Sequence, residues 1–478
     1  MIAAGAIEEV AANIALHVDP SRPVGKIGMR ANRSARRNRK SMMSQPHIGI
    51  RSRLGLLFRA LRHRNYRLFF LSQSISQAGT WMQQVAVLWL AYRLSNDVVV
   101  VGLLGFVAQV PTFLLAPLAG IWADRLDRRR ILLVTQTLAM LQALSLAGLA
   151  LSDHLTLAPL LVLAAVLGSI YAFDMTASQA MVKELVKERD DLSSAIALNA
   201  IILHSARLMG PVLAGGLIVF WGEAACFLVN GISFLPVLAA LAAIRLEQTP
   251  AAMPSTHLHG SFADGLSYAC GCRPIRLLLF LVAWLSLLGM PYTLLPAFVR
   301  ETLAAEGDAL GWLMGAAGLG ALAASWHVGS RPTALGTESE LATVGVGLAL
   351  ALFGFALTRT VWLAIFWRFW IGYAVLLQLA TANALMQTVV NDSMRGRVMS
   401  FYTMALIGGL PLGNLVGGLL ASQLGVPSAF AAMSAAYLAG VLWFGQRLRV
   451  FRLQSNFEPE PPKTSESPPL VPLNHSLP

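Results

Sequence analysis

The sequence predicts an all-α polytopic membrane protein whose chain crosses the bilayer twelve times, in two bundles of six helices. Of the 478 residues, 56% are hydrophobic and only 13% are charged, whereas a soluble domain carries roughly 25% charged residues. Apolar runs of about 20 residues recur along most of the chain, and this length matches the hydrocarbon core of a bilayer. The composition therefore excludes a disordered chain, a disulfide scaffold and an ordinary soluble enzyme.

Charged and polar segments divide the apolar sequence into twelve predicted spans. The first six lie at 66–92, 98–122, 131–151, 156–179, 195–219 and 224–244. The last six lie at 276–298, 309–328, 341–358, 361–387, 399–421 and 427–446. The longest gap between spans separates the sixth from the seventh, which places six spans on either side of it.

The segments outside the spans complete the predicted organisation. The tail is rich in Pro, Ser and Glu, a composition typical of disorder. The predicted parts are a basic, disordered cytoplasmic extension at 1–53, an N-terminal six-helix bundle at 54–246, a cytoplasmic inter-bundle loop at 247–272, a C-terminal six-helix bundle at 273–453 and a disordered Pro-rich cytoplasmic tail at 454–478.

The distribution of basic residues predicts the orientation of the spans. Residues 1–67 contain 14 Lys/Arg and three acidic residues, which gives this segment a net charge of +11. The net charge of the whole chain is +12. With the N-terminus inside, the segments between the spans and next to the last span place sixteen Lys/Arg on the cytoplasmic side. Only Arg93, Arg300 and Arg359 lie outside. This bias obeys the positive-inside rule and predicts that both termini are cytoplasmic.

Other classes of function find little support in the sequence. The basic cluster at 33–40 has no interleaved aromatic residues, which argues against nucleic-acid binding. Cys270 and Cys272 lie near His257 and His259, but their spacing fits no zinc pattern. We find no nucleophile, metal cluster or acid–base cluster of an enzyme, and no phosphate-binding loop of an ATPase. We therefore expect that the chain is not an enzyme and that it needs no cofactor or metal.

The two halves of the sequence show a faint repeat. The segment Pro211–Gly216, followed by Gly222 and Phe227, parallels Gly413–Gly418, followed by Gly425 and Phe430. Parallel repeats of six spans occur in one class of transporters. The repeat supports the division into two bundles.

A charged motif follows span 2. It reads Gly120-Ile-Trp-Ala-Asp124-Arg125-Leu-Asp127-Arg128-Arg129-Arg130. The segment resembles the loop between spans 2 and 3 of the major facilitator superfamily, G-x-x-x-D-R-x-x-R-[RK]. The resemblance implies the facilitator fold and a secondary transporter, which in a bacterium would lie in the inner membrane.

We expect the motif to form a cytoplasmic latch that holds one alternating-access state. A glycine allows two helices to approach closely, and an aspartate is stabilised at the N-terminus of a neighbouring helix. The expected neighbour is span 11, and the alternative is that the arginines merely obey the positive-inside rule. The latch residues are Gly120, Asp124, Arg125, Arg128, Arg129, Arg395 and Arg397.

Span 5 contains a second motif, with Gly210, Pro211, Gly215 and Gly216. It resembles the GPxxGG motif of facilitator-superfamily antiporters, which accompanies export against protons. The small residues and the proline also fit any bent, tightly packed helix, so both interpretations stay open.

Longer stretches resemble the enterobactin-exporter-like and macrolide-efflux branch of the superfamily. They are 76–84, 172–185, 197–207 and 394–413, and the overall resemblance covers about residues 55–450. The chain departs from that branch after Asp174-Met175, where Thr176 and Ser178 replace the usual Pro and Arg. This puts a latch identical to the family's in doubt.

The few charges inside the spans are candidates for coupling, because a charge in the bilayer costs roughly 2.5–3.5 kcal/mol on insertion scales. Asp174 in span 4 is the preferred proton carrier. Arg207 in span 5 would hold it ionised or bind an anionic substrate group, and a permanent structural ion pair is the alternative. Arg368 in span 10 either lines the substrate cavity or extends outward to the membrane surface.

Span 1 carries the clearest polar face. Gln73, Gln77, Thr80 and Gln84 are spaced by 4, 3 and 4 residues, so they share one side of a helix. Amides facing lipid would lack hydrogen-bond partners, and we therefore expect them to line a cavity for a polar, aromatic ligand. Gln378 and Asn383 in span 10 are expected to continue this wall from the other half.

The sequence thus predicts a monomeric transporter that exports an amphipathic small molecule, a siderophore or a drug, by proton-coupled alternating access. Its partners are the substrate, protons and the lipid bilayer. Three alternatives stay open: an importer or a lysophospholipid flippase on the same fold, and a non-transporting membrane sensor.

Overall fold

A computed structural model describes residues 58–186, 189–244, 258–330, 338–391 and 394–455. After a 3-10 turn at Arg59–Arg62, this part of the chain contains twelve long helices. The first six are α1 (Arg64–Ser95), α2 (Val98–Arg125), α3 (Arg128–Leu151), α4 (Leu157–Leu185), α5 (Arg189–Ala243) and α6 (Leu258–Gly271). The others are α7 (Arg273–Leu288), α8 (Gly307–Ser330), α9 (Glu338–Ala356), α10 (Val361–Val389), α11 (Arg395–Leu424) and α12 (Val426–Ser455).

Twelve membrane passages follow from these helices, although α5 joins two of them. Ten helical segments of the described chain are long and apolar enough to cross a membrane, and the one within α5 has 50 residues. At 1.5 Å per residue this is roughly twice the thickness of the hydrocarbon core. Gly222, with φ of 74° and ψ of 178°, breaks α5 into two arms. The polar helix α1 adds the twelfth passage, and the predicted fold class is confirmed.

Two regions differ from the predicted elements. The single span predicted at 276–298 is helical only to Leu288 and continues as short turns from Tyr292 to Thr302, because Pro291 and Pro296 have no N–H group for a continuous helix. The segment predicted as a loop contains the helix α6. The extension at 1–53 and nearly all of the tail lie outside the described residues.

Two aspartates fix the beginnings of α2 and α3. The Asp97 side chain accepts a hydrogen bond from the Val99 N–H at 2.8 Å, and the Asp127 side chain accepts one from the Arg129 N–H at 2.9 Å. Such N-terminal caps satisfy backbone donors that the helix itself leaves unpaired. Asp127 therefore fixes the residue at which the loop after α2 ends and α3 begins.

The sequence repeat corresponds to a repeat of backbone geometry. Gly222 and Gly425 are the two described glycines with positive φ, at 74° and 80°, and each ends a helical arm. Phe227 and Phe430, five residues later in each half, are 0% and 1% exposed. Equivalent turns followed by equivalent core anchors indicate that the two halves share one folding plan.

Gly222→Ala is expected to destabilise the protein by about 1–3 kcal/mol, because φ of 74° with ψ of 178° is a backbone conformation that essentially only glycine adopts. An added methyl group would meet no atom within 4 Å at Gly222, so the cost comes from the backbone alone. The control is Gly347→Ala within α9, which also has open space and should be neutral or stabilising. Thermal unfolding in detergent measures both; equal unfolding temperatures would contradict the prediction.

The two halves meet through glycine crossings at one end of the molecule. There α5 crosses α8, and a Cβ atom at Gly311 would lie 2.5 Å from the Pro211 carbonyl oxygen. In the equivalent crossing of α2 with α11, a Cβ atom at Gly102 would lie 2.7 Å from the Asn414 carbonyl oxygen. Only glycine permits such backbone contact. We call this end, where α2 and α8 begin, the predicted outer end.

The opposite, predicted cytoplasmic end has a different kind of contact. The ion pairs described there join residues of the same half: Asp191 pairs with Arg59 at 2.5 Å and with His63 at 2.8 Å, and Arg128 pairs with Glu184. Arg397 pairs at 3.8 Å with Asp264 of α6. Thus the backbone crossings between halves lie at the outer end, whereas these ion pairs hold each half together at the other.

Candidate functional site

The polar face of α1 contacts another helix of its own half and also contacts the second half. Gln73 is 4% exposed, and neither of its amide atoms has a hydrogen-bond partner among the described residues. Gln77 is half-buried, the Thr80 hydroxyl contacts that of Tyr171 in α4, and Gln84 contacts Tyr292 beyond α7. The face lies inside the protein, and its outer member touches the C-terminal half.

Tyr292 is the centre of a polar cluster that joins the halves. Its hydroxyl accepts hydrogen bonds from Gln109 of α2 and from the Asn414 Nδ2 of α11 at 3.4 Å, and it also contacts Gln84. We call Gln84, Gln109, Tyr292 and Asn414 the Tyr292 cluster. One hydroxyl thus connects α1 and α2 of one half with two elements of the other.

We expect Tyr292→Phe to open the outer end, because it leaves the amides of Gln109 and Asn414 without their shared acceptor, and each lost buried bond costs about 1–3 kcal/mol. Spin labels on Leu94 and Glu306, both near this end, would report a larger distance between the halves. Tyr373→Phe is the control: it loses one bond, the 2.8 Å contact with His327, inside the C-terminal half. An unchanged label distance in Tyr292→Phe would refute the role of the hydroxyl.

Arg207 lies beside this cluster. Its guanidinium carbon is 4.9 Å from the centre of the Trp81 ring, and its charge interacts with Tyr292. The Nε atom is buried without a hydrogen-bond partner in the described structure. A cation that is held over an aromatic ring and keeps an unused donor is suited to an anionic or aromatic ligand group.

Asp174 is held by α3. One of its oxygens, Oδ1, accepts hydrogen bonds from Thr135 Oγ1 and Gln136 Nε2, each at 2.8 Å, and Asp174 is 7% exposed. The structure describes no ion pair between Asp174 and Arg207, so the alternative of a permanent salt bridge is absent from this conformation. The carboxyl is instead positioned by two neutral donors.

The candidates in α10 are mostly packed inside the C-terminal half. Gln378 is 1% exposed and accepts a hydrogen bond from the Tyr437 hydroxyl at 2.5 Å. Arg368 is 7% exposed and lies 6.0 Å from the centre of the Phe355 ring; it does not extend outward. Asn383 is half-buried and bonds Gln387 one turn away. Gln378 and Arg368 thus find partners within their own bundle in this conformation, and the wall from Gln378 and Asn383 stays a prediction.

The contacts that the structure describes for three of the latch residues lie within one half or with α6, and Arg128 pairs with Glu184 of α4. Arg129 donates to the Leu241 and Ala242 carbonyl oxygens at 2.6 and 2.9 Å, where it caps the second arm of α5. Arg397 pairs with Asp264, and Arg125 and Arg395 are exposed. The side chain of Asp124 is outside the described structure.

The packing around Gly120 differs from the expectation. An added Cβ atom there would meet no atom within 4 Å, so the expectation of close helix packing at Gly120 is wrong for this conformation. The same holds for Gly216 in the span 5 motif. Gly210, by contrast, lies against α1, where a Cβ atom would be 2.6 Å from Trp81 Cβ, and Gly215 lies against Asp308 of α8.

Two members of the Tyr292 cluster were missed by the sequence analysis. Gln109 is a single amide in the apolar helix α2, and Asn414 adjoins the glycines of α11. Thr293 supports the latter with a 3.3 Å hydrogen bond to Asn414 Oδ1. A polar side chain in an otherwise apolar span is a functional signal and could have identified both.

Sequence comparison finds a family and several distant relatives. The family model described as a transmembrane secretion effector matches residues 57–472. A staphyloferrin A transporter of Staphylococcus aureus is 23% identical, over 82% of this chain and 98% of its own. The multidrug efflux pump Tap of Mycolicibacterium fortuitum is 25% identical, over 79% and 95%. The enterobactin exporter EntS of Escherichia coli is 26% identical, over 80% and 91%.

Solved structures share the fold. A bacterial homologue of the human lysosomal transporter Spinster, solved in an inward-facing and unoccupied conformation, aligns with a TM-score of 0.61 at 15% identity, over 83% of this chain and 97% of that one. The nucleoside transporter NupG aligns with a TM-score of 0.64 at 12% identity, over 80% and 99%. At these identities the likeness concerns the fold alone.

Proposed function

Because the chain belongs to the transmembrane secretion effector family of major facilitator transporters, we propose that it exports an amphipathic small molecule in exchange for protons. The substrate class is a siderophore or a drug, as the names of the staphyloferrin A, enterobactin and multidrug relatives suggest. The protein lies in the bacterial inner membrane as a monomer with both termini cytoplasmic.

The observation that carries the proposal is the asymmetry of contacts between the halves. At the outer end Gly311 and Gly102 bring backbones of opposite halves together, and the Tyr292 cluster adds hydrogen bonds between them. An arrangement that is closed at one end by two equivalent crossings can open there by a rocking of the two bundles. We assign this conformation to the inward-facing state of such a cycle.

The chemistry of the inner face supports an amphipathic substrate. Gln73 and Gln77 supply neutral donors and acceptors, and the unpartnered amide of Gln73 has hydrogen bonds to offer. Arg207 over Trp81 supplies a cation and an aromatic surface at the same place. A ligand with carboxylate, phenolate or aromatic groups would satisfy these side chains together.

Asp174 is the proposed proton carrier. Its Oδ1 is occupied by Thr135 and Gln136, and Oδ2 makes no hydrogen bond to the described residues. A proton can therefore bind Oδ2 without breaking either bond. The position of the carboxyl, eleven residues from the predicted cytoplasmic end of α4, gives it access to that side when the bundles are apart.

Transport in inside-out membrane vesicles tests the proposal. With an acid interior, vesicles that contain the protein should accumulate a siderophore such as enterobactin or a macrolide, and a protonophore should abolish the accumulation. Accumulation only in right-side-out vesicles would indicate an importer, and movement of lysophospholipid alone would indicate a flippase. Binding without any movement would indicate a sensor. Each of these three results would overturn the proposal.

A further inference from the structure

A basic pocket lies outside the proposed transport route, on the C-terminal half. It has a volume of about 460 Å³ and lies between the beginning of α7 and the later part of α12. Its lining consists of Arg273, Arg276, Leu277, Phe280, Trp443 and Arg447. Three cations thus share one cavity with an apolar wall, and its lining contains no acidic residue.

The pocket is located where two membrane spans end. The apolar span that contains α7 begins at Arg273, and in α12 the apolar stretch gives way to a basic one at Arg447, Arg449 and Arg452. Both boundaries lie at the predicted cytoplasmic end, at the depth where the hydrocarbon core gives way to lipid headgroups. The three arginines are therefore level with lipid phosphates, and the wall residues extend toward the acyl chains.

Specific ring contacts and a hydrogen bond hold the aromatic wall of the pocket in place. The Trp443 ring packs edge-on against Phe280, with centroids 5.0 Å apart, and Phe280 stacks on Trp284 at 5.4 Å. Trp284 donates a hydrogen bond at 3.1 Å to the Ala436 carbonyl oxygen of α12. It fits there because residue 440 is glycine: a Cβ atom at Gly440 would lie 2.1 Å from Trp284 Nε1.

Arg447 and Arg276, one on each side of the pocket, are held with donors to spare. Arg447 lies over Trp443, its guanidinium carbon 5.6 Å from the ring centre. Arg276 donates one hydrogen bond, from Nη1 to the Cys270 carbonyl oxygen at 3.1 Å, and a guanidinium has five N–H donors. Planar guanidinium groups recognise phosphate oxygens in pairs of parallel bonds.

We propose that this pocket binds the phosphate of an acidic membrane phospholipid, such as phosphatidylglycerol, with its acyl chain along Phe280 and Trp443. A basic pocket between helices at the cytoplasmic surface is suited to an anionic headgroup. A soluble phosphate would gain nothing from the apolar wall. The site joins α7 to α12 and is independent of the proposed substrate and of proton coupling.

Native mass spectrometry of the full-length protein in detergent tests the site. We expect the wild type to retain added phosphatidylglycerol in preference to phosphatidylcholine, and the double variant R276Q/R447Q to bind it about tenfold more weakly, since charge-assisted bonds contribute at least the 1.4 kcal/mol that corresponds to tenfold. Arg359→Gln, an exposed arginine at the other end, is the control and should bind as the wild type does.

Two further arms decide the source of the phosphate. Inorganic phosphate at millimolar concentration should not displace the lipid; displacement would overturn the assignment to a phospholipid. R276K/R447K should retain the lipid to an intermediate degree, because it keeps both charges but loses the paired guanidinium bonds; retention no better than in R276Q/R447Q would overturn the role of charge. Equal retention in the wild type and in R276Q/R447Q, with unchanged thermal unfolding of both, would also overturn the proposal.

Discussion

We expect Asp174→Asn to abolish substrate-driven proton movement in proteoliposomes, to the level of vesicles without protein. Asparagine keeps the Oδ1 acceptor, so the hydrogen bonds from Thr135 and Gln136 and the fold around them persist. It cannot bind or release a proton in the physiological range. Proton movement, measured with a pH-sensitive dye during substrate addition, should therefore disappear.

Exchange of substrate without a pH gradient provides the control for Asp174→Asn. Exchange involves no net movement of protons, so it should continue in the variant. Thr135→Val removes one of the two donors and leaves the carboxyl, so it should lower coupled transport without abolishing proton movement. Undiminished proton movement in Asp174→Asn would show that another group carries the proton, and loss of exchange would assign Asp174 to the structure instead.

The second large effect is expected at the outer crossing of α5 and α8. In Gly311→Ala the new methyl carbon would lie 2.5 Å from the Pro211 carbonyl oxygen and 2.9 Å from Gly215 Cα. These are backbone atoms, which no side-chain rotation can move. Overpacking costs about 1–3 kcal/mol, and this cost applies only to the conformation in which the outer end is closed.

Gly311→Ala should therefore shift the protein toward an open outer end and lower transport about tenfold, since 1.4 kcal/mol changes an equilibrium tenfold. The distance between spin labels on Leu94 and Glu306 should increase. Gly216→Ala, in the same stretch of α5 but with open space around it, should leave the distance and the transport rate unchanged. An unchanged distance in Gly311→Ala would mean that the crossing does not govern the opening.

The motif residues illustrate how far sequence reasoning reaches. In span 5, Gly210 and Gly215 lie at close helix contacts, whereas Gly216 does not. Gly120 carries the same kind of signal, but an added Cβ atom there would meet no atom within 4 Å. The sequence identifies which positions can pack closely, but only the arrangement of the halves decides which of them do so in a given conformation.

The polar residues of α1 and α10 also show what helical periodicity can and cannot predict. The spacing of Gln73, Gln77 and Gln84 predicts a polar stripe on one side of α1, because helical periodicity fixes which residues share a face, and these side chains are buried or half-buried. The same reasoning placed Gln378 in the opposite wall, whereas it bonds Tyr437 inside its own bundle. Periodicity does not specify which neighbouring helix a face will meet.

The sequence by itself determined the membrane fold, its two similar halves and its twelve passages, because apolar length and the need to satisfy backbone hydrogen bonds in lipid leave only helices. The tertiary structure alone decided that Asp174 bonds to α3, that Tyr292 joins the halves and that the backbones of the two halves cross at Gly102 and Gly311. These are contacts between residues far apart in the chain. They depend on the relative positions of helices, which hydropathy and periodicity do not encode.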